Sequence, residues 1–374
     1  MNSLAEYVPP AGLSVPVVTI IDSAGHVLVR QQREAVRFLL QQGSGADIVF
    51  ACGTTGEWNR LDNPRRQTVS EIVIDECRRF NAACHKRVEA WVGITAETRT
   101  ATLENLDFAL EAGADAAVIA PLSIADADDP VEFVSRDIGA RFDQRGRQIP
   151  VFLYDNADIA VSGKAPHLHT RDVKSMSRLE YVRGVKVSAS KTVVANYRRA
   201  ASHFKRRHEF AICIGNAYLI FDLFAPAIGL GGRLRRWHNR YLTRNALPYG
   251  IVSGPANIAP REWKRAWLVC RAGEPALMER YRRVLEEFRD ICRFERAGRA
   301  YVPAIACFKA ALAELGVCES TTVAPGTPSL DAAQRREFGR RFRAAHRRAA
   351  AIVEPDWLSV ATRAAFEERA LVHG

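Results

Sequence analysis

Lys186 is the residue of this chain that is best placed for covalent chemistry. It lies near the end of a short β-branched segment, YVRGVKV at residues 181–187, which predicts a buried strand. Burial removes solvation from an ammonium group and lowers its pKa, which leaves a free amine that can attack a keto group. The segment therefore predicts a lysine that forms a Schiff base.

Two other segments place reactive side chains at the ends of predicted strands. The sequence GTTGE at residues 53–57 follows the apolar segment 48–52, and Tyr154 closes the segment 149–154. The chain thus has three reactive elements, each at the downstream end of a different strand. Their shared position favours one active site over three isolated structural features.

These elements belong to a series in which strand-like and helix-like segments alternate. The predicted strands are 15–20, 47–52, 88–93, 115–120, 149–154, 181–187, 209–214 and 250–253. Several lack polar alternation, as is typical of parallel strands that are buried on both faces. Asp62 followed by Pro64 predicts a helix start, and Gly113 predicts a helix end. The series predicts an α/β fold, a (β/α)8 TIM barrel whose active site lies at the C-terminal ends of the strands.

The strand pattern stops after Pro260. Helices are predicted at 262–270, 275–296, 303–315 and 331–352, with a last short helix near 357–370. We therefore expect a barrel domain at residues 1–273 and a C-terminal helical region at residues 274–374 that packs on the barrel.

The composition is that of a large globular protein. The 374 residues are 48% hydrophobic and 25% charged, which suffices for a large core. No stretch reaches the roughly 18 apolar residues of a membrane span, and the first residues do not resemble a secretory signal. The eight cysteines lack metal-ligand spacing and lie mostly in apolar segments. We expect a cytoplasmic protein without structural disulfides or a metal site.

The net charge of +11 invites a comparison with polyanion-binding proteins. Arginines are spread along most helices and are concentrated at residues 233–240 and 335–348. The second concentration also carries Phe338, Phe342, Ala344 and Ala345, which predicts an amphipathic helix with a basic face. A solvated or oligomer-facing role accounts for these arginines better than polyanion binding, so nucleic acid is not expected as a partner.

In order and spacing, these elements resemble the dihydrodipicolinate synthase / N-acetylneuraminate lyase family of class I, lysine-dependent aldolases. The segments VTIIDSAG (18–25), ANIAP (256–260) and VPAIACFK (302–309) resemble the family's first-strand segment, eighth-strand loop and C-terminal proline-containing helix. The resemblance implies a lyase that acts on a 2-keto acid without a metal or an organic cofactor. It also implies a homo-oligomer, either a dimer or a tetramer.

The resemblance assigns roles to three catalytic residues. Lys186 would condense with the keto group of pyruvate or of a longer 2-keto acid. Tyr154 would move the proton on and off the reacting oxygen. Thr54 would contact the substrate beside them.

By the same resemblance, four residues would bind the substrate. Thr55 and Gly53 belong to the loop that would hold the carboxylate, with Thr54 and the backbone N–H groups. Ser188 matches a substrate-binding hydroxyl, and Gly215 would let the substrate approach the backbone after the seventh strand.

Each of these residues also has a structural interpretation. Lys186 would then extend its amine to water from a strand end, the threonines would cap the next helix, and the Tyr154 hydroxyl would lie in water. Ser188 would bond to local backbone. Glu57 is predicted to be structural, bonding N–H groups of its loop, and Lys164 and Lys191 are predicted to be surface charges.

Departures from the family pattern narrow the substrate. The segment YDNADI (154–159) lacks the arginine with which the synthase subgroup binds a second carboxylate, and its two aspartates would repel an anion. PLS (121–123) replaces the tyrosine pair of that subgroup, and GNAY (215–218) lacks the acidic residues that bind a sialic acid. The substrate of dihydrodipicolinate synthesis and sialic acid are therefore both disfavoured. Two interpretations of Trp58 remain. It could line an apolar substrate pocket together with Tyr218, or it could simply pack under its own loop.

An aldolase is the leading interpretation. A dehydratase of 2-keto-3-deoxy sugar acids would use the same iminium, and a catalytically silent relative would bind a keto acid or a polyanion. Relative to the family pattern, an arginine-rich insertion occupies about residues 230–248. We expect this insertion to alter oligomer assembly.

Overall fold

The computed structural model describes residues 4–204, 209–225, 229–241, 248–296 and 298–360. Eight parallel strands close into a barrel in chain order, which confirms the predicted TIM barrel. The strands are β1 (Leu13–Pro16), β2 (Ile48–Ala51), β3 (Glu89–Gly93), β4 (Ala116–Ile119), β5 (Val151–Asn156), β6 (Val182–Ser188), β7 (Ala211–Ile214) and β8 (Gly250–Val252).

Helices follow the strands and continue beyond the last of them. They are α1 (Val29–Leu40), α2 (Asn63–Ala83), α3 (Arg99–Ala112), α4 (Pro130–Glu132), α5 (Gly139–Arg145), α6 (Thr170–Met176), α7 (Lys191–Ala200), α8 (Leu219–Leu223), α9 (Gly229–Tyr241), α10 (Pro260–Ala272), α11 (Pro275–Asp290), α12 (Ala304–Glu314) and α13 (Ala332–Ile352). The predicted signals at two helix ends are confirmed. The Asp62 side chain caps α2, and Gly113 ends α3 in the left-handed conformation.

The chain divides into two compact units. Unit 1 comprises Met1–Gly12 and Glu89–Val252, and therefore carries strands β3 to β8. Unit 2 comprises Leu13–Val88 and Ser253–Gly374, and therefore carries β1, β2 and helices α10 to α13. The domain boundary at residue 273 remains a prediction.

Large side chains of strands β3 and β5 pack together in the interior of unit 1. The rings of Trp91 and Phe152 stack with their centroids 3.9 Å apart. Gly184 leaves room for that stack, because a Cβ atom there would lie 2.8 Å from the Phe152 ring and 2.5 Å from the Ala211 carbonyl oxygen. A side chain at this position of β6 would therefore overpack the interior.

The register of β6 against β5 changes by one residue next to this glycine. Val151 is opposite Val182, whereas Phe152 is opposite Gly184, so Arg183 is an extra residue in β6. Arg183 is buried and donates to the carbonyl oxygen of Leu4. Its guanidinium also lies 3.8 Å from the Glu209 carboxylate, and all three residues belong to unit 1.

The first predicted strand is wrong at both ends. It was expected at 15–20, but β1 spans Leu13–Pro16. The backbone N–H of Val18 donates to the Asn257 side chain, and that of Ile20 donates to the Gln32 side chain. Val17 still donates to the Phe50 carbonyl oxygen of β2. Beyond it, these side chains satisfy the N–H groups of Val18 and Ile20 in place of a neighbouring strand.

The second predicted helix of the C-terminal region is too long. It was expected to reach residue 296, but α11 ends at Asp290 and a hairpin follows, formed by β9 (Phe294–Arg296) and β10 (Arg299–Tyr301). Gly298 adopts a φ of +73° in the connecting turn. A left-handed glycine allows the tight reversal that a continuous helix would not contain.

The predicted amphipathic helix near the C-terminus is confirmed as α13. Phe338, Phe342 and Ala345 are buried within unit 2, and the Phe342 ring lies 5.9 Å from that of Phe288. The helix predicted near 357–370 extends into residues outside those described.

The arginine-rich insertion contains helix α9, whose Leu230 and Leu234 side chains are exposed. Residues 242–247 of the insertion lie outside the described part of the chain. Seven of the eight cysteines are buried, as their apolar surroundings predicted. Within the described residues, none of the helices has both the length and the apolar character that crossing a bilayer requires.

We predict that Gly184→Ala lowers the free energy of unfolding by about 1–3 kcal/mol, because its methyl group must displace the Phe152 ring or the Ala211 backbone. Urea unfolding followed by tryptophan fluorescence measures the change. Gly231→Ala is the control, since a Cβ atom there meets no heavy atom within 4 Å. Equal stability of the two variants would contradict the overpacking argument.

Candidate active site

Lys186 and Tyr154 lie side by side in unit 1. They are register partners on β6 and β5, so both side chains emerge on the same face of the sheet. The Lys186 Nζ atom lies 3.6 Å from the centroid of the Tyr154 ring, within the range of a cation–π contact. Lys186 is only 6% exposed. The structural interpretation in which its amine extends to water is therefore wrong.

The Tyr154 hydroxyl is held by two polar neighbours. Its oxygen accepts from Asn156 Nδ2 at 3.0 Å and from Ser188 Oγ at 3.5 Å. Tyr154 is buried, so the alternative of a hydroxyl in water is also wrong. Asn156 was not predicted, although its place two residues after Tyr154 on the same strand is a signal that could have found it.

Gly215 and Ser188 are in close contact at the ends of β7 and β6. A Cβ atom on Gly215 would lie 1.9 Å from Ser188 Oγ, so any larger residue would displace the hydroxyl. Cys213 is the register partner of Lys186 on β7. Burial raises the pKa of the Cys213 thiol to about 12, so the thiol is neutral beside the lysine.

Asp155 faces away from this group of residues. Its carboxylate accepts from the Tyr197 hydroxyl at 2.9 Å, from the Leu168 N–H at 3.1 Å, and pairs with His167 Nδ1 at 3.1 Å. Burial raises the pKa of Asp155 even though these donors lower it. The expected repulsion of an anion by Asp155 is therefore wrong, because alternation along β5 turns this side chain outward from the face of Tyr154.

The GTTGE loop follows β2 in unit 2. Thr54–Gly56 form one 3-10 turn, and Thr19 Oγ1 donates to the Gly56 carbonyl oxygen at 2.8 Å. Both threonines are half-buried. They do not cap the next α-helix, since α2 is capped by Asp62. That structural interpretation is therefore wrong as well.

A buried ion pair anchors the end of this loop. Lys309 Nζ lies 2.6 Å from Glu57 Oε2 and donates to the Thr322 carbonyl oxygen at 2.7 Å. Glu57 Oε1 accepts from the Ala324 N–H at 2.7 Å, which agrees with its predicted structural role. Burial lowers the pKa of Lys309, whereas Glu57 raises it. Lys309 was not predicted to be a functional residue, because its partner is 252 positions away in the chain.

Two further predicted assignments have clear outcomes. Lys164 is not a surface charge, because its amine is partly buried and donates to the carbonyl oxygens of Ile124 and Ala127 at 2.5 and 2.6 Å. Burial lowers the pKa of Lys164. Trp58 is buried in unit 2 with the Arg66 guanidinium 5.6 Å above its ring, which favours packing under its loop over lining a pocket.

The chain has a partial match to known sequences. Residues 9–120 match the model of the Dihydrodipicolinate synthetase family. A 4-hydroxy-tetrahydrodipicolinate synthase from Geotalea daltonii is 32% identical over 108 residues, and one from Trichlorobacter lovleyi is 39% identical over 67 residues. Residues 9–120 are thus similar in sequence to the dihydrodipicolinate synthetase family. The resemblance inferred from the motifs is confirmed over these residues.

The sequence match to the dihydrodipicolinate synthetase family covers only part of each protein. The alignment with the Geotalea protein includes 29% of this chain and 34% of that relative, and the alignment with the Trichlorobacter protein includes 18% and 22%. The family match includes the GTTGE loop at residues 53–57 and ends before Tyr154 and Lys186. The placement of Tyr154 and Lys186 in the candidate site therefore depends on the geometry of unit 1 and not on the sequence match.

Solved structures of the family share the fold over most of this chain. A dihydrodipicolinate synthase from Bacteroides thetaiotaomicron superposes with a TM-score of 0.70 at 19% identity, covering 90% of this chain and 99% of that one. A prophage protein of the dihydrodipicolinic acid synthase family from E. coli K12, solved in complex with pyruvate, gives 0.68 at 21% identity, covering 90% and 98%. At these identities the similarity shows the barrel fold.

We predict that Tyr197→Phe lowers the free energy of unfolding by about 1–3 kcal/mol, because the buried Asp155 carboxylate loses a donor. The raised pKa of Asp155 means that its titration favours the native state below the unfolded value near 3.8, a contribution that is lost as pH rises through the folded pKa. The effect of Tyr197→Phe should therefore shrink as pH falls through that folded pKa.

Urea unfolding at several pH values measures this effect. Tyr301→Phe is the matched control, since its exposed hydroxyl donates to a loop carbonyl, that of Ser329, and its loss should change stability by less than about 0.5 kcal/mol. A loss in Tyr197→Phe that does not vary with pH would exclude the link to Asp155.

Proposed function

We propose that this protein is a lyase that acts on a 2-keto acid of the pyruvate type through a Schiff base at Lys186, as an aldolase. The observation that carries the proposal is the buried Lys186 amine 3.6 Å from the ring centroid of Tyr154. A buried amine beside a tyrosine has little purpose in a protein that only binds a ligand.

The proposed reaction uses the iminium as an electron sink. The Lys186 amine adds to the keto carbon, and the carbonyl oxygen leaves as water. In the cleavage direction, the C4 hydroxyl group of a 4-hydroxy-2-keto acid loses its proton, and the bond between C3 and C4, one carbon removed from the iminium carbon, breaks. The electron pair of that bond forms an enamine, and an aldehyde departs. Protonation of the enamine carbon and hydrolysis of the iminium then release pyruvate and restore Lys186.

Tyr154 is the residue that we assign to proton transfer. Its oxygen accepts hydrogen bonds from Asn156 and Ser188, and such donors stabilise the negative charge that develops when the phenol gives up its proton. Tyr154 would give its proton to the oxygen that leaves as water, and the phenolate so formed would take the hydroxyl proton of the substrate during cleavage and return it during condensation.

We assign the substrate carboxylate to the loop after β2. The Thr54 and Thr55 hydroxyls and the backbone N–H groups of that turn would bind the anion, and Gly53 allows the loop to form. A Cβ atom on Gly53 would lie 2.8 Å from the Phe50 ring. Ser188 and Gly215 would contact the substrate beyond its keto carbon.

The residues at the end of β5 and just after it favour a substrate without a second carboxylate. Asn156, rather than an arginine, lies beside the Tyr154 hydroxyl, and Asp158 is exposed. We therefore propose a neutral aldehyde as the partner of pyruvate, and not the substrate of dihydrodipicolinate synthesis. A homo-oligomer in the cytoplasm remains the predicted setting.

We predict that pyruvate and borohydride add one reduced adduct to the wild-type protein, at Lys186, and none to Lys186→Ala. Intact-protein mass spectrometry with peptide mapping measures the adduct. Lys191→Ala is the matched control, because this exposed lysine is on α7, just beyond the end of β6, and should not affect trapping. An adduct at Lys309 or Lys164, or none with a panel of 2-keto acids, would exclude the proposed mechanism.

We predict that Tyr154→Phe lowers turnover by roughly 10²- to 10⁴-fold while the borohydride adduct still forms, because proton transfer is lost and the amine remains. Turnover is followed as pyruvate release from a panel of 4-hydroxy-2-keto acids. Tyr181→Phe is the control, since its hydroxyl is also buried in unit 1 and donates to the Val134 carbonyl oxygen. Equal turnover in the two variants would remove Tyr154 from the mechanism.

A further inference from the structure

The lysine on α12 is buried as completely as any side chain of unit 2. Lys309 is 0% exposed, and its amine contacts Glu57 and the Thr322 carbonyl oxygen. Glu57 is also buried and uses its other oxygen to accept from the Ala324 N–H. The pair thus ties the residue that ends the GTTGE loop to α12 and to the segment that follows it.

The loop itself has a backbone that needs such support. Cys52 and Glu57, which flank residues 53–56, have φ angles of +56° and +59°. Side chains other than glycine seldom adopt this left-handed region, and they remain in it only when the surroundings hold them. Thr19 holds the Gly56 carbonyl oxygen, and Lys309 holds the Glu57 carboxylate.

Lys309 also neutralises a negative charge close to the two threonines of the loop. The Glu57 carboxylate is two positions along the chain from Thr55. Without a cation beside it, a buried carboxylate at this point would repel an anion and would move toward water to recover solvation. Lys309 neutralises this charge at 2.6 Å and removes the need for such movement.

We propose that Lys309 and Glu57 are positioning residues, which hold the Thr54–Thr55 turn in the shape that binds a substrate carboxylate and keep the turn free of net negative charge. The inference rests on the proposed function of that turn. Neither residue contacts the substrate in this proposal. The C-terminal helix α12 thereby becomes part of the binding machinery.

A second ion pair of unit 2 provides a matched control. Lys264 on α10 lies 2.5 Å from Asp47, which directly precedes β2, whereas Glu57 follows β2. The two pairs therefore lie at opposite ends of one strand, and Asp47 also pairs with Lys86 at 3.1 Å. Loss of either lysine should lower stability, but only the pair after the strand should affect the binding of an anion.

The test is the pyruvate concentration that gives half of the maximal borohydride adduct at Lys186. Lys309→Met should raise this concentration about ten- to a hundredfold, because a small misplacement of binding groups has effects of that size. The adduct at saturating pyruvate should match that of the wild type. Lys264→Met should lower the unfolding midpoint and leave the pyruvate concentration unchanged.

The double variant Lys309→Met/Glu57→Gln separates charge from shape. It removes the bare carboxylate, so its half-saturating concentration should lie between those of the wild type and Lys309→Met. If Lys309→Met does not fold, the double variant alone tests the positioning role. A double variant that binds pyruvate as tightly as the wild type overturns the inference. An equal shift in Lys309→Met and Lys264→Met overturns it too. No adduct in the wild-type protein would instead overturn the proposed function.

Discussion

The register between β5 and β6 is the constraint on which the arrangement of Lys186 and Tyr154 depends. Arg183 is an extra residue in β6, and from Gly184 onward the pairing is shifted by one position. Without that shift, Tyr154 would be opposite Val185 and Lys186 would be opposite Asp155. Because alternate residues of a strand point to opposite faces, the amine and the phenol would then be separated by the sheet.

The same alternation lets β5 carry two kinds of chemistry. Tyr154 and Asn156 emerge on the face of Lys186, whereas Asp155 bonds to His167 and Tyr197 on the other face. The outward carboxylate secures the strand to the residues around α6 and α7. The hydrogen bonds of Asp155 therefore also help to fix the positions of Tyr154 and Asn156 on the opposite face of the strand.

Most of the barrel was predictable because buried parallel strands leave a strong apolar pattern, and their downstream ends mark a reactive face. Lys186 and Tyr154 were found in this way. The first strand was misplaced because Val17–Ile20 are as apolar as a strand, while side chains of Asn257 and Gln32 satisfy two of their backbone N–H groups. Glu57 was predicted to be structural, but its ion pair with Lys309 left no local signal, since the two residues are 252 positions apart in the chain.

The position of Lys309 limits how this protein can be divided. A chain that stopped before α12 would still contain all eight strands, the threonine loop and Lys186. It would lack the cation that lies 2.6 Å from the Glu57 carboxylate. A fragment that keeps this ion pair therefore extends past the barrel through Lys309 to the 322–324 segment. A domain boundary drawn after the last strand would separate Glu57 in the barrel from Lys309, the residue that neutralises its charge.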